Sequence, residues 1–310
     1  MVNTQTFGSP LYLNPAFAGN LAKTSFYFNV RQQWPTLKGS YVSSSFSANH
    51  RLDNINSGLG LMIMQNEEGS ASFTTTNISG IYSFILHINK DWTFSPALQL
   101  SYINSRFDES TFVFGDQINE DFSISETVNE NINFSNKHNI DISSGFIMYN
   151  KDMWYGFSTH HITEPSNFLA NGSSLNRKYS FHTGYQYILK NRNLPEDITF
   201  SPSLNINYQD PFTRVGASLT TTYHFFSIGA GITNISLPSE ERNILTSFFL
   251  LGYADDHFKV GYSYDFAVYG NVGIGGAHEI SLGIWLNYDN NSNKKSFKSK
   301  KIRRVSCPKF

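Results

Sequence analysis

Apolar and polar side chains alternate with a period of two along most of this chain. Between 198 and 208 one face reads Ile198, Phe200, Pro202, Leu204, Ile206 and Tyr208, and the other Thr199, Ser201, Ser203, Asn205 and Asn207. Residues 179–189 set Tyr179, Phe181, Thr183, Tyr185, Tyr187 and Leu189 against Ser180, His182, Gly184 and Gln186. Residues 258–266 set Phe258, Val260, Tyr262, Tyr264 and Phe266 against Lys259, Gly261, Ser263 and Asp265. Successive side chains of a strand point to opposite faces, so this pattern marks two-faced β-strands. Fourteen such segments are predicted, near 23–31, 41–50, 57–66, 72–87, 92–104, 138–149, 153–162, 177–189, 197–208, 212–222, 224–232, 244–254, 258–267 and 278–288. The alternation is weak at 41–50, 72–87 and 153–162. Most segments run about ten residues, the length of a tilted membrane strand; strands in soluble proteins average about five or six.

The direction of the two faces follows from size. A closed ring of about fourteen strands is too wide for side chains to fill, since about eight already leave an interior just wide enough for them. An apolar inner face would line a large void, so the small polar face must line the lumen and the aromatic-aliphatic face must meet lipid. Lys23, Asp141, Arg214, Lys259, Asp265 and Glu279 all fall on the polar face. There they avoid the roughly 2–4 kcal/mol that an Arg or Lys costs at the bilayer midplane of the lipid face. With an even strand number both termini are periplasmic, and the odd-numbered connections become the longer outer loops. The connections 32–40, 105–137, 163–176, 233–243 and 268–277 fit, while the short one near Gln209-Asp210-Pro211 does not. Even-numbered connections such as Asn150-Lys151-Asp152 and Ala254-Asp255-Asp256 are tight turns. The expected fold is all-β: a transmembrane antiparallel up-and-down β-barrel of about fourteen strands over 23–288. A periplasmic or lumenal segment, 1–22, precedes it and a basic periplasmic tail, 289–310, follows it. A soluble propeller or sandwich is the other all-β reading.

Composition sharpens the choice. Charged residues make up 15% of the 310, against about 25% in an ordinary soluble domain. Aromatic residues are also 15%, with 27 Phe and 17 Tyr. Mean hydropathy is nevertheless −0.31, and no apolar stretch approaches the roughly 18 residues a membrane helix needs. Two opposed faces cancel in such an average, as a barrel requires. Cys307 is the single cysteine, so no internal disulfide forms. The start Met1-Val2-Asn3-Thr4-Gln5 lacks a charged and an apolar signal region. An exported barrel needs such a signal, so the sequence is expected to be the mature form.

The chemistry-bearing residues do not assemble into an active site. No Ser-His-acid arrangement, paired-carboxylate motif or phosphate loop emerges, which points away from an enzyme and from any cofactor. His160 and His161 are adjacent on a predicted strand, so they face opposite sides and cannot share a metal. The connection 105–137 carries Asp108, Glu109, Asp116, Glu120, Asp121, Glu126 and Glu130 without EF-hand spacing, and reads as a solvated acidic loop. Gly270 to Gly276 lies in another outer loop with no helix after it, so it is not a nucleotide site. No metal site is expected. The tail holds Lys294, Lys295, Lys298, Lys300, Lys301, Arg303, Arg304 and Lys309 and no acid. Setting those eight of the 23 basic residues aside leaves 15 basic against 24 acidic in the rest. Such asymmetry marks an interaction tail, touching either phosphates of the inner leaflet or an acidic periplasmic protein. Nucleic acid is inaccessible in that compartment. In Asn14-Pro15-Ala16-Phe17-Ala18-Gly19, Pro15 blocks helix and sheet and Gly19 permits a tight turn. Lying before the first strand, this segment either plugs the barrel mouth or binds a partner.

The segment Ser9-Pro10-Leu11-Tyr12-Leu13-Asn14-Pro15-Ala16-Phe17-Ala18-Gly19 resembles the amino-terminal signature of the PorP/SprF family of type IX secretion membrane proteins. The similarity continues through Arg31-Gln32-Gln33-Trp34, Ser45-Phe46-Ser47-Ala48 and Gly58-Leu59-Gly60-Leu61, and returns in the closing strand, the basic tail and Cys307-Pro308-Lys309-Phe310. The resemblance implies a non-enzymatic barrel in the outer membrane of bacteria that use type IX secretion, often for gliding motility. It also implies partners: a secreted adhesin held at the cell surface through its carboxy-terminal domain, or components of the secretion and gliding apparatus. A passive porin or specific channel is the competing reading, supported by the Ser, Gly and Asn of the lumen face (Gly58, Gly60, Ser201, Ser203, Gly229, Gly231, Gly261). An outer-membrane hydrolase barrel lacks the Ser, His and orienting group it needs at one rim.

Overall fold

Alternation turns into a ring because every strand finds two antiparallel neighbours and the last finds the first. The computed structural model describes residues 4–5, 8–37, 39–69, 73–106, 136–166, 174–190, 197–237, 242–269 and 275–286. The staves are β1 (Thr24–Gln33), β2 (Tyr41–Leu52), β3 (Ser57–Glu68), β4 (Phe73–Phe84, continued at Leu86–His87), β5 (Thr93–Arg106), β6 (Lys137–Tyr149) and β7 (Met153–His160). They continue with β8 (Lys178–Tyr185, continued at Tyr187–Leu189), β9 (Ile198–Gln209), β10 (Phe212–Tyr223), β11 (Phe226–Leu237), β12 (Arg242–Ala254), β13 (Phe258–Tyr269) and β14 (Ala277–Leu286). Each pairs with its sequence neighbours, and β1 pairs with β14 from Thr24 opposite Leu286 to Gln33 opposite Ala277. All fourteen expected segments are present. Closure leaves no edge strand, which a sheet in lipid requires. No described helix is long and apolar enough to cross a membrane.

The outward face is apolar, with Leu98, Leu100, Ile140, Phe249, Leu251 and Ile280 among its exposed side chains. A row of outward rings crosses five strands, Phe94 to Phe146 (5.5 Å), Phe157 (6.0 Å), Tyr179 (6.5 Å) and Tyr208 (6.5 Å). Inward positions are small and polar over much of the ring, as in Ser25, Ser43, Ser47, Ser79, Ser143 and Ser281. Two strands are interrupted beside a proline, which has no N–H for the ladder. Gly184 pairs with Ser203 and Tyr187 with Phe200, so Pro202 lies at the gap in β8, and the Gln186 N–H donates to the Asp152 carbonyl at 2.6 Å instead. In β4 the gap falls at Ile85, near Pro96 of β5, and the Ile85 N–H donates to the Asn56 carbonyl at 2.7 Å.

The two rims differ. One carries the tight connections 53–56, 150–152, 224–225 and 255–257; the other carries 34–40, 107–136 and 161–177 as well as the two-residue turn 210–211. We call them the turn end and the loop end. The acidic residues of 107–135 and the basic tail with Lys294, Lys295, Lys298, Lys300, Lys301, Arg303, Arg304 and Lys309 lie outside the described residues.

Two expectations need correction. The lumen face is not uniformly small and polar: Met62, Met64, Ile81, Ile85, Ile103, Ile147, Tyr149 and Trp154 are buried there. Nor do His160 and His161 face opposite sides. β7 ends at His160, and His161 adopts a left-handed backbone (φ 59°) that turns its ring inward onto Asp141 at 2.8 Å.

Candidate functional site: an occupied lumen

What fills the ring is the chain's own amino-terminal segment. Pro10–Leu13 forms one helical turn and Pro15–Phe17 a 3₁₀ turn, joined by Asn14 in extended conformation. Both turns begin with proline, which suits a first helical position because the missing N–H would be unpaired there anyway. Asn14 Oδ1 accepts from the Ala16 N–H at 2.9 Å and so starts the second turn. Leu11, Ala16, Phe17 and Ala18 are completely buried and pack on Met62, Ile81, Ala97, Ile147, Tyr149 and Trp154. Five of the eight apolar lumen positions named above are therefore walls of this contact.

The barrel is cut back where the segment approaches. A Cβ on Gly58 would stand 2.2 Å from the Ala18 carbonyl oxygen, and one on Gly145 would stand 2.5 Å from Asn14 Oδ1. Gly19 (φ 70°) lies so close to Gly58 that its own Cβ would come within 2.6 Å of the Gly58 Cα. Real Cβ contacts are never this short, so side chains at these positions would expel the segment. Gly145 lets the Asn14 amide reach the strand backbone, where Nδ2 donates to the carbonyls of Phe146 (3.0 Å) and Phe157 (3.1 Å) and lies 3.2 Å from His182 Nε2. Asn20 repeats the device. Its Nδ2 donates to Ala16 O (2.7 Å) and Ser95 Oγ (2.9 Å), and its Oδ1 accepts from Tyr149 Oη at 2.9 Å. Ser83 Oγ donates to Ala18 O at 2.6 Å and Ser158 Oγ to Leu13 O at 3.1 Å. Buried amides are thereby satisfied by specific barrel partners, as they must be away from water.

Further from the turn end the segment is held by charge. Arg31 of β1 pairs with Asp265 of β13 (2.7 Å) and Glu279 of β14 (3.2 Å), and its guanidinium donates to Thr4 Oγ1 at 2.9 Å. The N–H groups of Thr4 and Gln5 donate to Glu279 at 2.7 and 3.3 Å, Asn29 Nδ2 donates to it at 2.9 Å, and Thr4 Oγ1 donates to Asp265. The Gln5 amide donates to the Glu279 carbonyl at 2.9 Å and accepts from Ser281 Oγ.

Between Ser9, Tyr12 and Leu13 and the loop end lies a cavity of about 660 Å³, lined by residues of β3–β11 and of the connection between β7 and β8. Lys178 Nζ donates to Tyr12 Oη at 3.2 Å and sits 4.6 Å from its ring centroid, fixing the floor to β8. Among the described residues no group of three or more His, Cys, Asp or Glu is placed to hold a metal ion.

The structure thus brings together fragments that the sequence shows far apart. Asn14–Gly19 meets Gly58 and Gly60, Ser9 lies 3.3 Å from Ser45, and Arg31 holds Thr4. Sequence reasoning did not find Gly145, His182 or the Arg31–Asp265–Glu279 group as parts of one site. The usable signal was the inward placement of Asp265 and Glu279 on the last two strands, which ring closure sets beside Arg31 on the first.

A closed antiparallel ring with a lipid-type outer face and a filled lumen defines a β-barrel membrane protein of the outer membrane. The chain belongs to the PorP/SprF family: the family model for type IX secretion system membrane protein PorP/SprF matches residues 2–284. No curated protein matches it in sequence. Among solved structures it is similar to the TodX deltaS2S3 mutant monoaromatic hydrocarbon channel, at 11% identity, with 92% of this chain and 94% of that one covered and a TM-score of 0.54. It is also similar to the Pseudomonas putida toluene transporter TodX (10% identity, 89% and 92% covered, TM-score 0.49) and to the Acinetobacter baumannii outer membrane protein Omp33 (7%, 86% and 100%, 0.49). At these identities the likeness is one of fold.

Proposed function

We propose that this protein is a non-enzymatic outer-membrane barrel that anchors or positions a protein of the type IX secretion or gliding apparatus. The partner is either the carboxy-terminal domain of a secreted adhesin or a periplasmic component. In this reading both termini are periplasmic, Asn14 to Gly19 is a resident lumen plug, and the basic tail docks an acidic periplasmic protein. The observation that carries it is the glycine-cut seat at Gly58, Gly60 and Gly145, which accommodates the chain's own segment. A diffusion pore has no use for such a seat, so the passive-porin reading is the weaker one. Family membership supplies the class of partner.

The test is affinity recovery from native membranes with the full chain, with a chain ending at Asn290, and with a charge-reversed tail. The full chain should recover proteins of the apparatus. The truncated and charge-reversed chains should recover much less while remaining heat-modifiable barrels, and raised salt should mimic both, since tail contacts act through screened attraction. Equal recovery by the truncated chain sinks the tail's role, and recovery of no apparatus component sinks the reading as a whole.

A further inference from the structure

We propose that the cavity above the lumenal segment is a binding site for an amphipathic anion, a carboxylate or phosphate monoester carrying a short apolar chain. The wall on β3–β5 contributes the apolar side chains Met62, Met64 and Ile103 among polar neighbours, and Leu13 of the floor adds to them. Five strands further round the ring, β9 and β10 present Asn205, Asn207 and Arg214. Asn207 is the registered neighbour of Arg214 across β9–β10 and of Ser180 across β8–β9, so these groups form one continuous polar patch.

The charges of this cavity have direct partners among the described residues, with two exceptions, Glu68 and Arg214. Asp141 accepts from His161 at 2.8 Å and Thr163 at 2.8 Å, and Lys178 is engaged by Tyr12. Glu68 stands at the loop end of β3 and makes no hydrogen bond or ion pair with a described residue. The nearby carboxylates Asp265 and Glu279 are held by Arg31 and the Thr4–Gln5 strap. Arg214 likewise makes no hydrogen bond or ion pair with a described residue. Asp265 and Glu279 attract this guanidinium only at longer range, and its planar fork matches carboxylate and phosphate oxygens bidentately. The cavity volume lies within the roughly 300–1,000 Å³ of small-molecule sites, which pair a mostly apolar lining with a few placed polar groups. The anionic head therefore sits on Arg214 with the Asn207 and Asn205 amides beside it, and the apolar body lies along Met64 and Ile103.

The proposal is independent of the partner reading, and its test uses the full chain in lipid nanodiscs, with empty discs as blank. Calorimetric titration compares hexanoate, hexyl phosphate, hexanol, acetate and inorganic phosphate. Hexanoate or hexyl phosphate should bind saturably, and their ranking tells carboxylate from phosphate preference. Hexanol and the small anions, each carrying half the recognised chemistry, should bind about tenfold more weakly or worse, and Arg214→Gln should impose a similar loss. Arg214→Lys should restore part of the affinity, and Met64→Asn should weaken the alkyl ligands while leaving the small anions unmoved. Absence of saturable binding by either amphiphile overturns the proposal. So does hexanol binding as well as hexanoate, phosphate binding as well as hexyl phosphate, or an affinity indifferent to Arg214→Gln. If Arg214→Gln does not fold, Met64→Asn decides: an unchanged hexanoate affinity overturns the proposal.

Discussion

Replacing Phe17 by alanine isolates the docking of the lumenal segment from the stability of the barrel. The ring is fully buried, lies 5.5 Å from the His182 ring, and belongs to the cluster that includes Ile147, Tyr149 and Trp154. Truncating a buried Phe to Ala costs about 3–5 kcal/mol. Phe17 makes no ladder hydrogen bond between strands, so the loss falls on docking. At about 1.4 kcal/mol per factor of ten, the undocked population should rise by roughly two to three and a half orders of magnitude. In planar bilayers the unaltered protein should show little steady conductance, and Phe17→Ala should show frequent long openings, approaching those of a chain lacking residues 1–20. On unheated gels the variant should still migrate as a folded barrel. A quiet Phe17→Ala protein whose barrel melts markedly earlier would refute the reasoning, because the segment would then be core rather than plug. Large, stable conductance from the unaltered protein would refute it from the other side and favour a porin.

Gly145→Val, whose Cβ would meet Asn14 Oδ1 at 2.5 Å, should raise conductance more than Asn14→Ala does, since it both breaks the Asn14 bonds and occupies the seat. Equal, small effects in the bilayer would contradict the assigned geometry. Arg31→Met strands Glu279 and Asp265 in the lumen and should lower barrel stability by about 3–5 kcal/mol, read as a drop in the heat-modifiability midpoint. Combining it with Glu279→Gln and Asp265→Asn should recover most of that loss, and no recovery would mean that Arg31 acts through packing. Ser125→Cys in a Cys307→Ser background should label on intact cells with an impermeant reagent; labelling only after the outer membrane is breached would reverse the sidedness.

The strands were legible in the sequence because lipid imposes the same demand on every outward position, whatever its neighbours. In two of the three weak stretches the alternation faded because the inward face had its own apolar partner. In 72–87 the inward Ile81 and Ile85 sit among outward Ile78, Tyr82 and Phe84, and in 153–162 the inward Trp154 sits among outward Tyr155 and Phe157. Two apolar faces cancel a period-two signal. The residues of Asn14 to Gly19 were visible as a motif with two readings, and nothing in their local chemistry distinguishes a lumen seat from a partner surface. The seat itself was hidden because a glycine at a lumen position looks the same whether it makes room for water or for Asn14. The His160-His161 expectation failed because alternation presumes a continuing strand, and the left-handed backbone at His161 ends it. Arg31 and Glu279 lie 248 residues apart in sequence, and only ring closure makes them neighbours.

That strap also dictates an order of events. Thr4 and Gln5 bond to groups on β13 and β14, and Asn14 bonds to carbonyls of β6 and β7. The residues ahead of the first strand therefore reach their places last, after strands from both halves of the chain stand side by side. Once there, Thr4 bridges Arg31 on the first stave to Asp265 and Glu279 on the final two, across the seam that closes the ring. The amino-terminal segment is thus a latch that engages only on a finished barrel, and its engagement slows the reopening of the seam.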